Sequence, residues 1–263
     1  MPDPVLGRTI RLARNAGWRA RWRAIDALVP RRAVHARGIT FSLTCTNWIT
    51  RFRVETFETK EPETLDWIDA GVRDGDVLFD VGGNVGVYAL YAALRHPRAT
   101  VVVFEPEYAN LHLLRDNIIA NGLGGRIQVY PLSVSDRTGL SRLHVQDLTP
   151  GAAMHTESAA PTRTTETGER VVWSEGTWAM TLDDFCAQSG LWPNAIKVDV
   201  DGGECRVIAG AATALSRPDL RSLIIEGGDA GLPLGPRDRL RALGFAQVPL
   251  AQPSAAGNEI WTR

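Results

Sequence analysis

The chain has 263 residues, of which 44% are apolar and 22% are charged, and its formal net charge is −1. This size fits one globular domain with an appendage or two small domains, and the sequence has no run of about 18 apolar residues that could span a membrane. The three cysteines are odd in number and lack CxxC spacing, which argues against a disulfide framework or a zinc site and favours a reducing, cytoplasmic interior.

The first part of the chain is strongly basic, with eleven arginines against two aspartates in residues 1–53. The spacing of Trp18 and Trp22 predicts a basic amphipathic helix or two, ended by Pro30. We therefore expect a helical N-terminal extension over residues 1–53 and a larger domain over residues 54–263. The extension could pack its tryptophans on the domain or across a homodimer, or it could bind a membrane surface or an acidic partner. A nucleic-acid partner is not expected, because the rest of the chain is acidic.

A glycine-rich turn between two predicted strands has the pattern of a nucleoside-cofactor site. Residues 77–79 form an apolar run typical of a buried parallel strand, and Gly82 and Gly86 in the following turn let the backbone approach a ligand closely. A second apolar run over residues 100–104 leads directly into Glu105. Glu105 stands 19 positions after Gly86, near the roughly 20-residue offset at which an acidic side chain reaches ribose hydroxyls. We therefore expect Glu105 to accept hydrogen bonds from a ribose.

The residues of this turn distinguish between two classes of cofactor. A dinucleotide fingerprint requires glycines where this chain has Asn84 and Val87, which argues against an NAD-type oxidoreductase. The pattern acid-x-Gly-x-Asn-x-Gly, from Asp80 to Gly86, resembles instead the first motif of S-adenosylmethionine-dependent methyltransferases. We expect Asp80, Gly82, Asn84 and Gly86 to hold the amino-acid part of S-adenosylmethionine (SAM).

Strands and helices alternate along the rest of the chain, which predicts an α/β fold with a doubly wound, mostly parallel sheet. Helices are predicted over residues 87–94, 107–121, 204–215 and 237–243 and from Thr181 onwards, and strands over 127–130, 196–200, 220–226, 245–250 and 258–262. The polar corner at Ser135 and Asp136, after the third strand, is expected to reach the adenine amine. Residues 149–177 show little periodicity and are too many for an ordinary connection, so we expect either a disordered segment or a substrate loop.

Several blocks of the sequence together resemble the FkbM family of SAM-dependent methyltransferases. They lie at residues 80–90, 104–106, 181–184, 196–204, 207–211 and 224–226, and they follow one another in the family's order. The resemblance covers about residues 57–263 and implies a class I methyltransferase (Rossmann-like) fold with a seven-stranded sheet. It also implies methyl transfer to an oxygen, typically a hydroxyl of a sugar or a secondary metabolite.

Three ionisable residues at predicted strand ends are candidates for catalysis. Ligands of open α/β sheets lie beyond the carboxyl ends of the strands, which places Lys197, Asp199 and Glu226 at the edge where the cofactor is expected. Because the methyl donor is already activated, the protein chiefly aligns the acceptor oxygen and handles its proton. We expect Asp199 to do this as base or as acceptor orienter. A structural ion pair between Lys197 and Asp199 is the alternative.

Other assignments stay open at this point. Asp199 and Glu226 stand where catechol-type methyltransferases carry metal-binding carboxylates, so Mg²⁺ is a second hypothesis for this edge. His155 in the long loop could serve as the base, and Asn110 could contact the ribose. A domain that binds the cofactor without catalysing a reaction is a further alternative, and no residue of the sequence identifies the acceptor.

Overall fold

The computed structural model describes residues 17–18, 20–21, 28–227 and 232–263. Its strands, in chain order, are β1 (Arg31–Ala36), β2 (Ile39–Thr44), β3 (Val77–Val81), β4 (Thr100–Phe104), β5 (Ile127–Tyr130), β6 (Ser133–Val134), β7 (Gly139–Val145), β8 (Thr156–Glu157), β9 (Trp173–Met180), β10 (Ala195–Val198), β11 (Ser222–Glu226), β12 (Ala246–Val248) and β13 (Asn258–Thr262). Its helices with defined bounds are α1 (Trp48–Thr56), α2 (Pro62–Gly71), α3 (Val87–Arg95), α4 (Tyr108–Ala120), α5 (Leu182–Ser189), α6 (Glu204–Ala209), α7 (Ala212–Ser216) and α8 (Leu234–Ala242). None of the helices in this described part is long and apolar enough to cross a membrane.

The central sheet has seven strands in the order β5–β4–β3–β10–β11–β13–β12. Neighbouring strands are parallel except at β13, which runs antiparallel to both β11 and β12. Strands β3, β4 and β5 follow one another towards one edge of the sheet, and β10 then pairs with the other side of β3. The strand order therefore reverses between β3 and β10. Ligands of doubly wound sheets bind at such a reversal. The predicted seven-stranded, mostly parallel sheet is confirmed, including the antiparallel pair at its C-terminal end.

Helices cover both faces of the sheet, and successive side chains of a strand pack on opposite faces. Leu78 of β3 belongs to the core that includes Leu90 of α3, whereas its neighbour Phe79 belongs to the core on the other face. On that second face, Phe79 and Phe104 meet Phe185 of α5 edge to face, with ring centroids 5.6 and 4.8 Å from that of Phe185. This packing ties β3 and β4 to α5, and the parallel pairing of β4, β3, β10 and β11 brings their carboxyl ends to one edge of the sheet.

Residues 31–44 form a β-hairpin, although they lie within the predicted helical extension over residues 1–53. β1 and β2 pair antiparallel across Arg37 and Gly38, whose φ angles are both positive, 49° and 80°, as two-residue hairpin turns of type I′ require. Alternate side chains, among them Phe41, are buried in the main core. The predicted helical extension over residues 1–53 is therefore wrong for this hairpin. Its buried and exposed side chains alternate with the period of a strand, so one face of the hairpin packs on the core.

The predicted boundary between residues 53 and 54 falls inside α1. This helix begins at a capping box, in which the side chain of Asn47 accepts a hydrogen bond from the backbone N–H of Thr50 and the side chain of Thr50 accepts one from that of Asn47. The basic helix predicted before Pro30 lies largely outside the described residues.

Two further segments differ from the sequence prediction. A second sheet, in the order β6–β9–β7–β8, takes up part of residues 149–177, because β8 and the start of β9 fall within them. The single helix predicted over residues 204–215 is wrong, since α6 and α7 are separated at Gly210. A Cβ at Gly210 would collide with the backbone carbonyl of Ser135, so the helix breaks where the two backbones approach each other.

Candidate functional site

The glycine turn after β3 brings the backbone against the end of β10. Gly82 and Gly83 donate their N–H groups to the carbonyl of Phe104, at 3.0 and 3.1 Å, which ties the turn to β4. Gly82 has a φ of 83°, and a Cβ there would collide with the backbone carbonyl of Asp199. Glycine is the residue that meets both conditions without strain. The turn therefore joins the ends of three strands in one place.

Glu105 follows β4 directly and is buried at this place. One carboxylate oxygen accepts a hydrogen bond from the N–H of Asn84 at 2.7 Å, and the other accepts one from the N–H of Glu107 at 2.8 Å. Burial raises the pKa of Glu105 to about 8. Because each carboxylate oxygen has two lone pairs, each can accept one more donor. Two acceptors on one carboxylate fit the adjacent hydroxyls of a ribose.

A cavity of 210 Å³ lies at the carboxyl edge of the sheet, beside the glycine turn. The predicted site residues that line it are Gly82, Asn84, Glu105, Asp199 and Glu226. Those that do not line it are Asp80, Gly86, Ser135, Asp136 and Lys197. The cavity therefore gathers predicted residues from the ends of β3, β4, β10 and β11.

Asp80 and Lys197 form a buried ionic group with Asp199. They face each other across the paired strands β3 and β10. Nζ of Lys197 donates to Oδ2 of Asp199 at 2.7 Å and lies 3.8 Å from Oδ1 of Asp80. Burial disfavours the ammonium, but the two carboxylates outweigh it and raise the pKa of Lys197. Lys197 is thus a charged partner of Asp199, whereas Oδ1 of Asp80 has no hydrogen-bond partner among the described residues.

Three carboxyl groups meet at the ends of β10 and β11. Oxygen atoms of Asp199, Asp201 and Glu226 all lie within 4.8 Å of one another. Burial, together with the negative charge of Asp199, raises the pKa of Glu226 to about 10 and that of Asp201 to about 6. For Asp199 itself, burial is outweighed by the Lys197 ammonium, so its pKa lies below the ordinary value. At neutral pH an ionised Asp199 therefore lies beside a protonated Glu226.

The polar corner predicted to reach the adenine does not line the cavity. Ser135 is fully buried and donates to the carboxylate of Glu157 at 2.8 Å, whereas Asp136 is exposed. The short strand β6 pairs with β9 just before this corner, which directs Ser135 towards the second sheet. Leu132, Ser133 and Val134 line the cavity instead. The sequence does not predict β6. That Ser135 and Asp136 lie away from the cavity is therefore found only in the structure.

The long loop contacts the site from the other side. Arg53 of α1 donates to the carbonyl of Gly151, from Nε at 3.0 Å and from Nη2 at 2.6 Å. Asp201 accepts a hydrogen bond from the N–H of Met154 at 2.6 Å. The loop residues that line the cavity are Ala152, Ala153, Met154 and His155. These contacts join positions far apart in the chain, so sequence patterns do not reveal Arg53 as part of the site, whereas the long loop and its His155 are expected there.

His155 is a neutral imidazole in the cavity wall. Burial lowers its pKa to about 4. Its Nδ1 lies 3.5 Å from the backbone nitrogen of Gln146, and its Nε2 is buried without a hydrogen-bond partner among the described residues. Because Nδ1 accepts from the N–H of Gln146, the proton of the neutral ring lies on Nε2, which can donate a hydrogen bond, and the low pKa makes the side chain a weak base at neutral pH.

The chain matches the family model described as Methyltransferase FkbM domain over residues 80–233, which is more than half of its length. It is 32% identical over 214 residues to the 31-O-demethyl-FK506 methyltransferase FkbM of Streptomyces tacrolimicus, and the match covers 72% of this chain and 80% of that protein. A shorter match of 42% identity over 73 residues is to the AMB antimetabolite synthetase AmbE of Pseudomonas aeruginosa, covering 24% of this chain and 3% of that protein.

Solved structures with similar backbones include two methyltransferases. The precorrin-6Y C5,15-methyltransferase of Geobacter metallireducens is 14% identical, with a TM-score of 0.41 and coverage of 77% of this chain and 86% of that one. A SAM-dependent methyltransferase of Agrobacterium tumefaciens is 11% identical, with a TM-score of 0.44 and coverage of 88% of this chain and 69% of that one.

Proposed function

The chain belongs to the FkbM family of SAM-dependent methyltransferases, and we propose that it transfers the methyl group of SAM to a hydroxyl of a small molecule or sugar. Membership of this family argues against the alternative of an NAD-type oxidoreductase. The observation that supports an oxygen acceptor is the ionised Asp199, which lines the same cavity as Glu105. The relative from Streptomyces tacrolimicus is named for an acceptor described as 31-O-demethyl, which agrees with an oxygen acceptor here.

The residues present fit SAM as the cofactor, which supplies a methyl group on a positively charged sulfur. We assign the ribose hydroxyls to Glu105, whose two oxygens can each accept one more hydrogen bond. We assign the methionine part to the backbone of residues 82–86 and to Asp80, which lies behind the cavity lining and whose buried Oδ1 has no hydrogen-bond partner among the described residues. Since the predicted polar corner does not line the cavity, we place the adenine against Leu132 and Val134.

In the proposed reaction, the acceptor oxygen forms a bond to the methyl carbon as the carbon–sulfur bond breaks. Asp199 accepts a hydrogen bond from the acceptor hydroxyl and thereby directs an oxygen lone pair at the methyl group. Lys197 keeps Asp199 ionised and in place through the 2.7 Å hydrogen bond. The low pKa of Asp199 makes it a weak base. A weak base is sufficient, because the oxygen becomes acidic as it gains the methyl group and its proton can then leave to the carboxylate pair or to water.

Transfer of labelled methyl from SAM to a panel of sugar and phenolic acceptors tests this proposal. We expect the label in a product that resists mild alkali, as methyl ethers do and methyl esters do not. Asp199→Asn should lower turnover about 100-fold, because the acceptor oxygen loses its orientation. The matched control is Asp238→Asn, an exposed carboxylate paired with Arg241 on α8. Label on nitrogen, or full turnover of Asp199→Asn at neutral pH, would contradict the proposal.

A bound divalent cation is the alternative to a proton on Glu226 for offsetting the negative charge of the three carboxyl groups. Asp199, Asp201 and Glu226 offer oxygen ligands within 4.8 Å of one another, and oxygen is the ligand that Mg²⁺ prefers. Turnover is therefore measured after treatment with a chelator and again after adding Mg²⁺. Loss and recovery of turnover would favour the cation, whereas unchanged turnover favours the proton held by Glu226.

The remaining predictions concern the parts of the chain around the site. We propose residues 149–177 as the acceptor loop, because the part that includes His155 lines the cavity. A cytoplasmic location, a homodimer and a membrane contact through the N-terminal basic segment stay predictions, and that segment lies largely outside the described residues.

A further inference from the structure

Asn84 contacts both the carboxylate of Glu105 and the long loop, residues 149–177. Its backbone N–H donates to Glu105 at 2.7 Å, and its side-chain amide donates to the carbonyl of Ala152 at 2.7 Å. The amide oxygen accepts a hydrogen bond from the N–H of Val85 at 2.9 Å, which fixes the orientation of the side chain. One residue of the glycine turn therefore contacts two parts of the site.

Asn110 of α4 holds the same stretch of loop from a second direction. Its amide nitrogen donates to the carbonyl of Ala152 at 3.0 Å, and its amide oxygen accepts from the N–H of Gly151 at 2.7 Å. The side chain is buried, with 1% of its surface exposed, so breaking these bonds leaves polar atoms without partners. Two amides thus converge on one carbonyl oxygen in the loop.

The side chain of Asn84 makes a contact that the shape of the turn does not require. The φ of this residue is 48°, in the left-handed region, where glycine has the lowest strain and asparagine is tolerated. A turn that needed only this backbone shape would be served by glycine. The asparagine adds an amide that reaches Ala152, 68 positions further along the chain.

The loop residues held in this way form part of the cavity wall. Arg53 and Asp201 fix the flanks of residues 150–154 through Gly151 and Met154, so hydrogen bonds from several elements converge on this short segment. The bond from Asn84 is the one whose donor residue also binds Glu105. A ligand that occupies the free lone pairs of Glu105 therefore acts on the same residue that holds the loop.

We propose that Asn84 and Asn110 are positioning residues that couple binding of the cofactor's ribose to closure of residues 150–154 over the transferred methyl group. This inference rests on the proposed function, because it takes Glu105 as the ribose acceptor and the long loop as the acceptor loop. Coupling of this kind is reciprocal: the ligand stabilises the closed loop, and the closed loop slows release of the ligand.

Amide hydrogen exchange with and without S-adenosylhomocysteine (SAH) tests the coupling. The N–H groups of Gly151 and Met154 report on the loop, since both are hydrogen-bonded in the closed form. In the wild-type protein, SAH should slow exchange at both positions at least tenfold. Two variants remove the donors to Ala152: Asn84→Gly suits the positive φ, and Asn110→Asp keeps the acceptor for Gly151 with an isosteric side chain.

Each variant should lose about five-fold of the SAH-dependent protection and release SAH about five-fold faster, the effect of one hydrogen bond. The matched control is Asn121→Asp, which removes an equivalent amide donor to the carbonyl of Ser42 at 2.8 Å, away from the loop. It should lower thermal stability while the response of Gly151 and Met154 to SAH stays at the wild-type value.

The outcomes separate this inference from the proposed function. If the wild-type protein fails to bind SAH, the cofactor assignment fails. If it binds SAH and the loop does not respond, or if Asn84→Gly and Asn110→Asp respond like the wild type, the coupling alone is overturned.

Discussion

At the scale of single residues, the buried carboxyl of Glu105, which we propose as the ribose acceptor, is expected to make cofactor binding depend on pH. Burial raises its pKa to about 8, so the neutral form predominates at pH 7 although two backbone N–H groups point at its oxygens. Ribose hydroxyls donate best to the ionised form. Binding at lower pH must therefore include loss of the proton.

We expect the affinity for SAH to rise as pH increases from 6.5 towards 8 and to level off above it, with a slope of at most about tenfold per pH unit. Isothermal titration calorimetry across this range measures the effect. Glu105→Gln should bind more weakly and show only the pH dependence of SAH itself, which makes it the control for titration of the ligand. A wild-type affinity that follows the Glu105→Gln profile would show that Glu105 does not bind the ribose in its ionised form.

Some residues of the site can be predicted from a few neighbouring positions in the sequence, and others cannot. Gly82 and Glu105 are predictable because a tight turn and a strand end impose their own residue types over a few positions. The contact between Asn84 and Ala152 has no such local signal, since it depends on how the long loop folds back. Ser135 shows the opposite failure: it follows a strand, as predicted, but the pairing of β6 with β9 turns it away from the cavity.

At the scale of secondary-structure elements, the β1–β2 hairpin is an integral part of the core. Phe41 is buried to 2% exposure and meets Phe57 edge to face at 5.2 Å. The side chains of Asn117 on α4 and of Asn121 directly after this helix accept hydrogen bonds from the backbone N–H groups of Thr44 and Ser42, respectively, both at 2.8 Å. A hairpin held in this way adds stability to the whole domain.

Phe41→Ala should therefore lower the free energy of unfolding by about 3–5 kcal/mol, the range for removing a buried aromatic side chain. Urea denaturation followed by circular dichroism measures the change. His35→Ala alters an exposed side chain on the same hairpin and should shift stability by less than about 0.5 kcal/mol. A similar small effect of Phe41→Ala would mean that the hairpin is a separable extension, as the sequence prediction of residues 1–53 implies.

The parallel strands are predictable because each is covered on both faces and therefore forms a continuous apolar run. The hairpin is not found in this way, because its strands are short and buried on one face: Val34, Ala36, Phe41 and Leu43 are buried and alternate with exposed or half-buried residues over only a few positions. The turn at Arg37 and Gly38, with both φ angles positive, is the signal that identifies the hairpin.

At the scale of the whole molecule, the sheet concentrates buried and half-buried carboxyl groups at one edge. The parallel strands end together there, so Glu105, Asp199 and Glu226 are close in space although they are distant in the chain. Burial raises the pKa of Glu105 to about 8, and burial with the charge of Asp199 raises that of Glu226 to about 10. Both groups therefore bind protons more tightly in the folded protein than in the unfolded chain.

The shifted pKa values at this edge determine whether the free energy of unfolding rises or falls with pH. A carboxyl whose pKa is raised on folding stabilises the protein below its unfolded value and loses that contribution as pH rises through the folded value. Asp199, whose pKa is lowered, gives a contribution that is constant above pH 5. Between pH 7 and 8.5, Glu105 and Glu226 therefore both reduce the free energy of unfolding as pH rises.

We expect each carboxyl that stays protonated in the folded state to lower the free energy of unfolding by about 1.4 kcal/mol per pH unit. Urea denaturation at pH 7.0, 7.75 and 8.5 without ligand measures the slope. Glu226→Gln should flatten it, because a neutral amide replaces the group that must lose its proton on unfolding. The control Glu55→Gln alters an exposed carboxylate paired with Arg51 on α1 and should leave the slope unchanged. A wild-type stability that rises over this range, or a Glu226→Gln slope equal to the wild-type one, would mean that Glu226 is ionised in the folded protein and that another positive charge balances the cluster.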